Sequence, residues 1–422
     1  MTFGTIAVVG LGYIGLPTAA VFASRKHKVI GIDVNTHAVE TINRGEVHIV
    51  EPDLDMLVHA AVAGGYLRAT TKAEPADAFL IAVPTPFNAD HDPDLSYIES
   101  ASKAIAPVLK AGDLVILEST SPVGTTERMA AWLAQARPDL TFPQTAGETS
   151  DIRIAHCPER VLPGHVLSEL VHNDRVIGGM TPRCSEVAAS LYKIFVEGEC
   201  VITNARTAEM CKLTENSFRD VNIAFANELS MVCDKLDVDV WELIRLANRH
   251  PRVNILQPGP GVGGHCIAVD PWFIVSQAPQ QSRLIRIARE VNDSKPAWVL
   301  DKVKSLIAEL ATSTGKSRSS VRIACLGLAF KANIDDLRES PALAITAAIA
   351  REFPGQVVAV EPHIDAVPAS LRQADVPLVE MTEGLLADVL VLLVDHKDLT
   401  AQPLRLRANQ RLLDTRGALK LR

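Results

Sequence analysis

The N-terminal part of the chain contains the segment TIAVVGLGYIG at residues 5–15. Its first five residues form a short apolar run, which predicts a buried strand, and its three glycines have the spacing G-x-G-x-x-G. A helical pattern follows over residues 16–24, and a second apolar run, residues 28–32, ends at Asp33. This succession of strand, glycines, helix, strand and acid predicts a Rossmann-type unit that binds a dinucleotide.

The residues of this segment have separate roles in the predicted site. Gly10 permits a sharp turn, Gly12 lets a pyrophosphate reach the N-terminus of the helix, and Gly15 allows close packing of helix and strand. Asp33 is placed to accept hydrogen bonds from the ribose hydroxyls, and its charge repels a ribose phosphate. The predicted cofactor is therefore NAD rather than NADP.

A second informative segment is the glycine-dense loop PGPGVGGHCIAVD at residues 258–270, in which Cys266 precedes Asp270 by four residues. Because glycine has no Cβ, such a loop lets peptide N–H groups approach a substrate that a thiolate could attack. The structural alternative is a tight turn followed by a small buried cysteine. Together with a dinucleotide site, the loop suggests an oxidation that passes through a thioester at Cys266.

Composition limits the classes of protein that fit. A chain of 422 residues is too long for one core and indicates two or three domains. The net charge of −8 argues against a nucleic-acid partner, although a local basic pocket for an anionic substrate stays open. No apolar run approaches the ~20 residues of a membrane span, and the seven cysteines lack metal-type spacing. We therefore expect a cytoplasmic protein with reduced thiols and neither a metal site nor a membrane partner.

Strand–helix alternation stops and then resumes along the chain. It extends to about residue 202 and gives way to helical patterns, beginning with an amphipathic stretch over residues 207–234 that lacks glycine and proline. Strand-like runs return after the polar segment 312–320. The predicted fold class is α/β, with two Rossmann-like doubly wound domains joined by a central helical domain. The predicted domain bounds are residues 1–202, 203–311 and 318–422.

Further motifs occur in a fixed order along the chain. They are GLGYIG (10–15), VPTP (83–86), ESTSPVG (118–124), CPER (157–160), AEMCKLTEN (208–216), the Cys266 loop and DDLRESP (335–341). Through these motifs the chain resembles the UDP-glucose/GDP-mannose dehydrogenase family over essentially its whole length. The resemblance implies two successive NAD-dependent oxidations of a nucleotide sugar, which produce a uronate for bacterial surface polysaccharide.

The amphipathic stretch places Lys212, Asn216 and Arg219 on one helix face, because they lie at i, i+4 and i+7. Read by spacing alone, they favour a solvated charged face. The resemblance matches Lys212 and Asn216 to the family's catalytic lysine and asparagine. It implies that Lys212 stabilises the alkoxide at the sugar C6 position.

The resemblance assigns three more catalytic residues. Thr120 and Glu159 are implied to lie beside C6 and help hold a water, and Asp270 is implied to support proton transfer and the final hydrolysis. The structural alternatives are that Thr120 is only a helix N-cap and that both acids are surface residues.

The resemblance also implies the binding residues. Those for the sugar nucleotide are Arg160, Val161, Lys212, Asn216, Arg219, His250, Arg252, Gly263, Lys331 and Arg416. Those for NAD, besides the fingerprint glycines and Asp33, are Tyr13, Ile14, Thr85, Thr126 and Arg338. For Arg338 the alternative is a surface salt bridge with Asp335 or Asp336. The family's central helices form a dimer, so we expect a homodimer.

Within the family, the segments 248–257 and 261–271 favour UDP-N-acetylmannosamine as the substrate, with UDP-N-acetylglucosamine as the nearest alternative. Two other classes stay open. The first is a catalytically silent regulator that binds NAD or a sugar nucleotide, which would not need Cys266, Lys212, Asn216 and Asp270 together. The second is a single-step hydroxy-acid dehydrogenase, which would not use the thiol.

Overall fold

The structure is a computed structural model that describes residues 3–49, 51–88, 91–161, 164–264 and 266–419. The chain forms two compact units. The N-terminal unit comprises Met1–Glu215 with Trp272–Gln277, and the C-terminal unit comprises Asn216–Pro271 with Ala278–Arg422. None of the helices in the described ranges is long and apolar enough to cross a bilayer.

Eight strands form the sheet of the N-terminal unit. They are β1 (Thr5–Val9), β2 (Lys28–Ile32), β3 (Leu67–Thr70), β4 (Ala78–Ile81), β5 (Leu114–Leu117), β6 (Arg153–His156), β7 (Arg175–Gly179) and β8 (Cys200–Asn204). Their order is β3-β2-β1-β4-β5-β6-β7-β8. All pairs are parallel except β6 with β7, which is antiparallel.

Helices cover both faces of this sheet. They are α1 (Gly15–Ser24), α2 (Thr36–Asn43), α3 (Leu54–Ala63), α4 (Ser96–Ile105), α5 (Thr125–Ala136), α6 (Pro143–Ala146), α7 (Val166–His172), α8 (Pro182–Tyr192) and the first part of α9 (Ala205–Lys235). Strand β1 shows why the sheet needs a layer of helices on each face. Ile6 and Val8 lie in one apolar core, whereas Ala7 and Val9 lie in another, because successive side chains of a strand point to opposite faces.

The C-terminal unit combines long helices with a smaller sheet. Its helices are the rest of α9, α10 (Val240–Ala247), α11 (Asp270–Gln277, shared with the other unit), α12 (Arg283–Thr314), α13 (Pro341–Glu352), α14 (Ala369–Arg372), α15 (Met381–Gly384) and α16 (Lys397–Thr400). Its strands are β9 (Ile323–Leu326), β10 (Val357–Val360), β11 (Val389–Leu392) and β12 (Arg411–Asp414). They pair in parallel in the order β10-β9-β11-β12.

Buried polar groups join α9 to α12 in this unit. Arg289 donates to Asp220 at 2.6 Å, and Asn292 donates to the same carboxylate at 2.8 Å. Asn227 in turn donates to Asn292 at 2.8 Å. Because removing one member would leave a buried charge without its partner, this network specifies how the two helices pair.

The predicted fold class is confirmed, since two α/β sheets are joined by helices that occupy the middle of the sequence. The polar segment that was predicted to begin at Thr312 begins later, because α12 continues to Thr314 and ends at Gly315 with a φ of 71°. Glycine adopts this left-handed conformation without strain, and it stops the helix there. The three-domain bounds stay a prediction.

Candidate active site

The glycine fingerprint has the geometry that a pyrophosphate needs. Gly10 has a φ of 90°, and a Cβ there would lie 2.6 Å from the carbonyl oxygen of Ala82. A Cβ at Gly15 would lie 1.8 Å from the carbonyl oxygen of Gly10. The surrounding backbone therefore leaves no room for a side chain at either glycine. At Gly12, by contrast, no atom of the described residues lies within 4 Å of the added Cβ. Gly12 therefore leaves space for a ligand beside α1, as the dinucleotide prediction requires.

Asp33 follows β2 and lies beside this loop. Its carboxylate accepts hydrogen bonds from the backbone N–H groups of Leu11 and Asn35, both at 2.8 Å. These contacts fix the acid at the carboxyl end of the strand, which is the position from which a ribose is bound in such folds. Of the other two residues predicted here, Tyr13 is exposed and Ile14 is the N-cap residue of α1.

Of the three predicted threonines, Thr85 and Thr120 lie in the loops after β4 and β5, and Thr126 lies in the first turn of α5. The Thr85 hydroxyl donates to the carbonyl oxygen of Thr120 at 2.5 Å, which ties the two loops together. Thr126 donates both its backbone N–H and its hydroxyl to Glu209, each at 2.7 Å. Gly124, not Thr120, is the N-cap residue of α5, so the N-cap explanation of Thr120 is wrong. Glu209 takes the capping role, and burial raises its pKa.

Glu159 is buried, so its interpretation as a surface acid is wrong. Its carboxylate forms a salt bridge of 2.7 Å with Arg175, which is also buried, and it accepts the backbone N–H of Arg160 at 2.7 Å. Nearby, burial and the negative charge of Glu159 raise the pKa of Glu118 to about 7, while the Tyr192 hydroxyl donates to Glu118 at 2.6 Å. Arg175 therefore supplies the positive charge that holds two buried acids.

Three of the residues predicted to bind the substrate lie in the N-terminal unit, after β6 or on α9. Arg160 forms a salt bridge of 2.7 Å with Glu215 on α9, and Val161 packs half-buried against the core. Lys212 is half-buried on the same helix. Because α9 is continuous from Ala205 to Lys235, the predicted helical spacing of Lys212, Asn216 and Arg219 is correct.

The C-terminal unit brings three of the predicted catalytic residues together. Cys266 is exposed, so its interpretation as a buried core cysteine is wrong. Its carbonyl oxygen accepts the backbone N–H of Asp270 at 2.9 Å, one turn before α11. Asp270 is 3% exposed, and Asn216 donates its amide to the Asp270 carboxylate at 2.5 Å. Exposed Cys266 therefore lies one turn before a buried acid whose carboxylate is hydrogen-bonded by a side-chain amide.

The glycines that precede Cys266 have a packing role that the sequence did not reveal. A Cβ at Gly263 would lie 2.4 Å from the carbonyl oxygen of Glu339, and one at Gly264 would lie 3.1 Å from the Phe330 ring. The loop is thus glycine-rich because residues 330–341 pack directly on its backbone. Substrate binding by Gly263 stays a prediction.

Lys331 and Arg416 line one pocket of about 240 Å³ in the C-terminal unit, together with Gly261 and Phe330. Arg416 is held there by Asp395, which accepts its Nε–H at 2.9 Å. The other predicted cations lie elsewhere in this unit: His250 and Arg252 are exposed after α10, Arg219 is exposed on α9, and Arg338 forms a salt bridge of 2.5 Å with Asp336.

Sequence reasoning missed Arg175, Glu209 and Asp395. Only Arg175 carried a local signal, as a charged residue at the start of an otherwise apolar strand. Glu209 lies within the motif at residues 208–216, but its partner Thr126 does not follow from that motif, and Asp395 is recognisable only by its partner in space.

Comparisons with known proteins agree with this geometry. Sequence models of the UDP-glucose/GDP-mannose dehydrogenase family match the chain in three parts: the NAD binding domain at residues 4–196, the central domain at residues 206–294 and the UDP binding domain at residues 324–421. A UDP-N-acetyl-D-mannosamine dehydrogenase of Yersinia pestis is 68% identical over 418 residues, which is 99% of each chain. An NDP-N-acetyl-D-galactosaminuronic acid dehydrogenase of Ralstonia nicotianae is 65% identical over 98% of this chain and 96% of its own length.

A solved structure of UDP-D-ManNAc dehydrogenase from Pyrococcus horikoshii is similar in fold, with a TM-score of 0.85 and 40% identity. The similarity covers 99% of this chain and 96% of that one. The glycine fingerprint and Asp33 fit the NAD binding domain of the family, and the pocket with Lys331 and Arg416 lies within its UDP binding domain. The chain is therefore an NAD-dependent oxidoreductase that belongs to the UDP-glucose/GDP-mannose dehydrogenase family.

Proposed function

We propose that the protein oxidises the C6 hydroxyl of UDP-N-acetyl-D-mannosamine to the carboxylate of UDP-N-acetyl-D-mannosaminuronate. The observation that carries this proposal is that exposed Cys266 lies one turn before buried Asp270, whose carboxylate accepts a hydrogen bond from Asn216. A silent regulator would not need this arrangement, and a single-step dehydrogenase would not need its thiol. The name of the Yersinia pestis relative supports the choice of sugar.

The first oxidation removes a proton from the C6 hydroxyl and a hydride from C6, which leaves an aldehyde. Lys212 stabilises the alkoxide or carries the proton, and Thr120 and Glu159 help hold a water beside C6. The Glu159 carboxylate is held in place by its salt bridge of 2.7 Å with Arg175. NAD, when bound, would supply the hydride acceptor, and the two oxidations would use two NAD molecules in succession.

The second oxidation needs the thiol. An aldehyde has no alkoxide from which a hydride can leave, so the Cys266 thiolate adds to the carbonyl carbon and forms a thiohemiacetal. Loss of the second hydride converts this adduct into a thioester. Water then attacks the thioester carbon, Cys266 leaves as the thiolate, and Asp270 takes up the proton of the attacking water. The covalent bond also retains the intermediate between the two oxidations.

The remaining predicted residues bind the two ligands in this proposal. Arg160, Val161, Arg219, His250, Arg252, Gly263, Lys331 and Arg416 bind the sugar nucleotide, whose diphosphate suits guanidinium and ammonium groups. Tyr13, Ile14, Thr85, Thr126 and Arg338 bind NAD together with the fingerprint loop. To bind NAD, Arg338 must break its salt bridge with Asp336 or contact the cofactor while it keeps that salt bridge. The division of the chain into three domains is part of the same proposal.

Turnover with purified protein tests the reaction. We expect two NADH per sugar and a carboxylate product with UDP-N-acetylmannosamine, followed by absorbance of NADH and by mass spectrometry of the sugar nucleotide. UDP-N-acetylglucosamine is the nearest alternative substrate, and the Ralstonia relative makes UDP-N-acetylgalactosamine a second one. UDP-glucose and GDP-mannose complete the panel. Accumulation of one NADH and free aldehyde with the intact enzyme would contradict the thioester mechanism.

Cofactor choice is tested at Asp33. Asp33→Ala is expected to weaken NAD binding and to reduce discrimination against NADP, because it removes a ribose hydrogen bond and a repulsion, each on the order of 1–3 kcal/mol. Since Asp33 also accepts the Leu11 N–H, Asp33→Asn is the matched control that keeps an acceptor without the charge. Kd values for NAD and NADP are to be compared. An unchanged ratio would remove Asp33 from the site.

We propose that the protein is a homodimer formed by the central helices. Phe218, Phe225 and Val232 recur every seven residues on α9 and are 71%, 55% and 46% exposed. Side chains at this spacing lie on one face of a helix, and large exposed apolar patches mark interaction surfaces.

The double substitution Phe218→Glu/Phe225→Glu is therefore expected to halve the mass measured by light scattering, since it places charges in the apolar contact. The matched control is Leu386→Glu, at a residue that is 63% exposed but lies outside the central helices. A dimer that survived the double substitution would place the interface elsewhere.

We also propose that the protein works in the cytoplasm. The seven cysteines all lie in the described residues and form no disulfide there, and the mechanism needs Cys266 as a reduced thiolate.

A further inference from the structure

The smaller sheet repeats the local geometry of the glycine fingerprint. Gly327 follows β9 with a φ of 88° and donates its N–H to the carbonyl oxygen of Val360 at 2.8 Å. Gly10 follows β1 with a φ of 90° and donates to the carbonyl oxygen of Ile32, also at 2.8 Å. The strand orders around the two glycines correspond as well, with β10-β9-β11 matching β2-β1-β4.

An acid occupies the equivalent position in both sheets. Asp33 follows β2 and accepts the N–H of Leu11 at 2.8 Å, and Glu361 follows β10 and accepts the N–H of Leu328 at 2.7 Å. In a dinucleotide-binding half, such an acid binds ribose hydroxyls with the lone pairs that remain. The two acids differ in how many lone pairs the protein uses.

The Glu361 carboxylate accepts hydrogen bonds from four donors of the protein. One oxygen accepts the N–H groups of Leu328 and Ala329 at 2.7 and 3.1 Å and the Nε2 of His396 at 3.0 Å. The other accepts the N–H of His363 at 3.0 Å. Each carboxylate oxygen has about two acceptor sites, so the first oxygen is fully occupied, and the side chain as a whole is only 5% exposed. Glu361 is therefore less able than Asp33 to accept hydrogen bonds from a ribose, although it lies at the same strand end.

His396 connects this acid to a second point of the same loop. Its Nδ1 accepts the backbone N–H of Asn333 at 2.9 Å, so Nδ1 carries no proton and Nε2 carries the proton that is donated to Glu361. The Asn333 side-chain oxygen accepts the N–H of Lys397 at 2.8 Å, and Asn333 has a φ of 62°. The segment 328–333 is thus held at its beginning by Glu361 and at its end by His396.

Lys331 lies in the middle of this segment and lines the pocket that also contains Arg416. We propose that Glu361 and His396 are positioning residues, which fix segment 328–333 so that the Lys331 ammonium is held at the pocket for the uridine diphosphate group. The pair does not touch the ligand and acts through Lys331. This inference rests on the proposed function, because that function assigns Lys331 to substrate binding.

A metal site is the competing explanation, since the ligand atoms of Glu361, His363 and His396 lie within 4.8 Å of one another. A neutral imidazole has one lone pair on nitrogen, and in His396 that lone pair accepts the Asn333 N–H. To coordinate a metal through Nε2, His396 would have to carry its proton on Nδ1 instead. That proton would then point at the Asn333 N–H, which now donates to Nδ1. The hydrogen bonds therefore favour a positioning pair over a metal ligand.

Calorimetric binding of UDP and of NAD to the full-length protein tests the inference. His396→Asn keeps an acceptor near the Nδ1 position and loses the donor to Glu361, whereas His396→Gln keeps the donor and loses the acceptor. Each is expected to raise the Kd for UDP about tenfold, as for the loss of one buried hydrogen bond. The Kd for NAD serves as the control for folding and should not change.

A double-mutant cycle with Lys331→Met separates positioning from general damage. Lys331→Met is expected to weaken UDP binding, and His396→Asn/Lys331→Met should bind UDP no more weakly than Lys331→Met alone. Additive losses, or normal UDP binding by both single His396 variants, would overturn the inference. Stoichiometric zinc that is lost with His396→Asn would also overturn it. If Lys331→Met bound UDP normally, the failure would instead lie in the proposed role of Lys331.

Discussion

Cys266→Ser is expected to stop turnover after the first oxidation, at the aldehyde or at a slowly hydrolysed ester. A serine hydroxyl has a far higher pKa than a thiol, so it is the weaker nucleophile at neutral pH and its ester is the poorer acyl donor. We expect carboxylate formation to fall on the order of 10³-fold or more, as for the loss of a covalent nucleophile. The first hydride transfer should persist, because it precedes attack by the thiol.

The measurement is NADH released per sugar, together with mass spectrometry of intact protein and of product. Cys200→Ser is the matched control, since Cys200 is half-buried on β8 and has no role in the mechanism. It should turn over normally. If the Cys266→Ser protein oxidised supplied aldehyde at the normal rate, the thioester route would be wrong.

How readily a strand can be predicted from the sequence depends on its position in the sheet. Central strands such as β4 and β5 are buried along their whole length, and their apolar runs made them recognisable. Strands β3 and β8 lack a continuous apolar run, and they are the two edges of the eight-stranded sheet. An edge strand is covered less, so Arg68 and Val201 are exposed there and the apolar pattern is broken.

Single residues of the site were predictable where a motif fixes their neighbours along the chain. Asp33 is an example, because its place at the end of β2 follows from the fingerprint. The partner of Glu159 was not predictable, since Arg175 is distant in sequence and meets the acid only through the antiparallel pairing of β6 with β7. The pairing of Glu361 with His396 was not predictable either, because the two residues follow different strands.

Lys212→Ala is expected to slow the first hydride transfer ~10²–10³-fold, because the developing C6 alkoxide loses its cation. The Kd for NAD should not change, since the lysine has no part in the fingerprint. Lys235→Ala is the matched control, as Lys235 is an exposed lysine in the last turn of the same helix. Single-turnover measurement of NADH from the alcohol substrate gives the rate of this step directly.

The aldehyde form of the substrate distinguishes the role of Lys212 from that of Cys266. Supplied aldehyde enters the reaction after the alkoxide step, so it should restore much of the lost rate to Lys212→Ala and none to Cys266→Ser. A Lys212→Ala protein that was as slow with the aldehyde as with the alcohol would show that the lysine does not act on the alkoxide. Its contribution would then lie in steps common to both substrates, such as binding of the diphosphate or hydrolysis of the thioester.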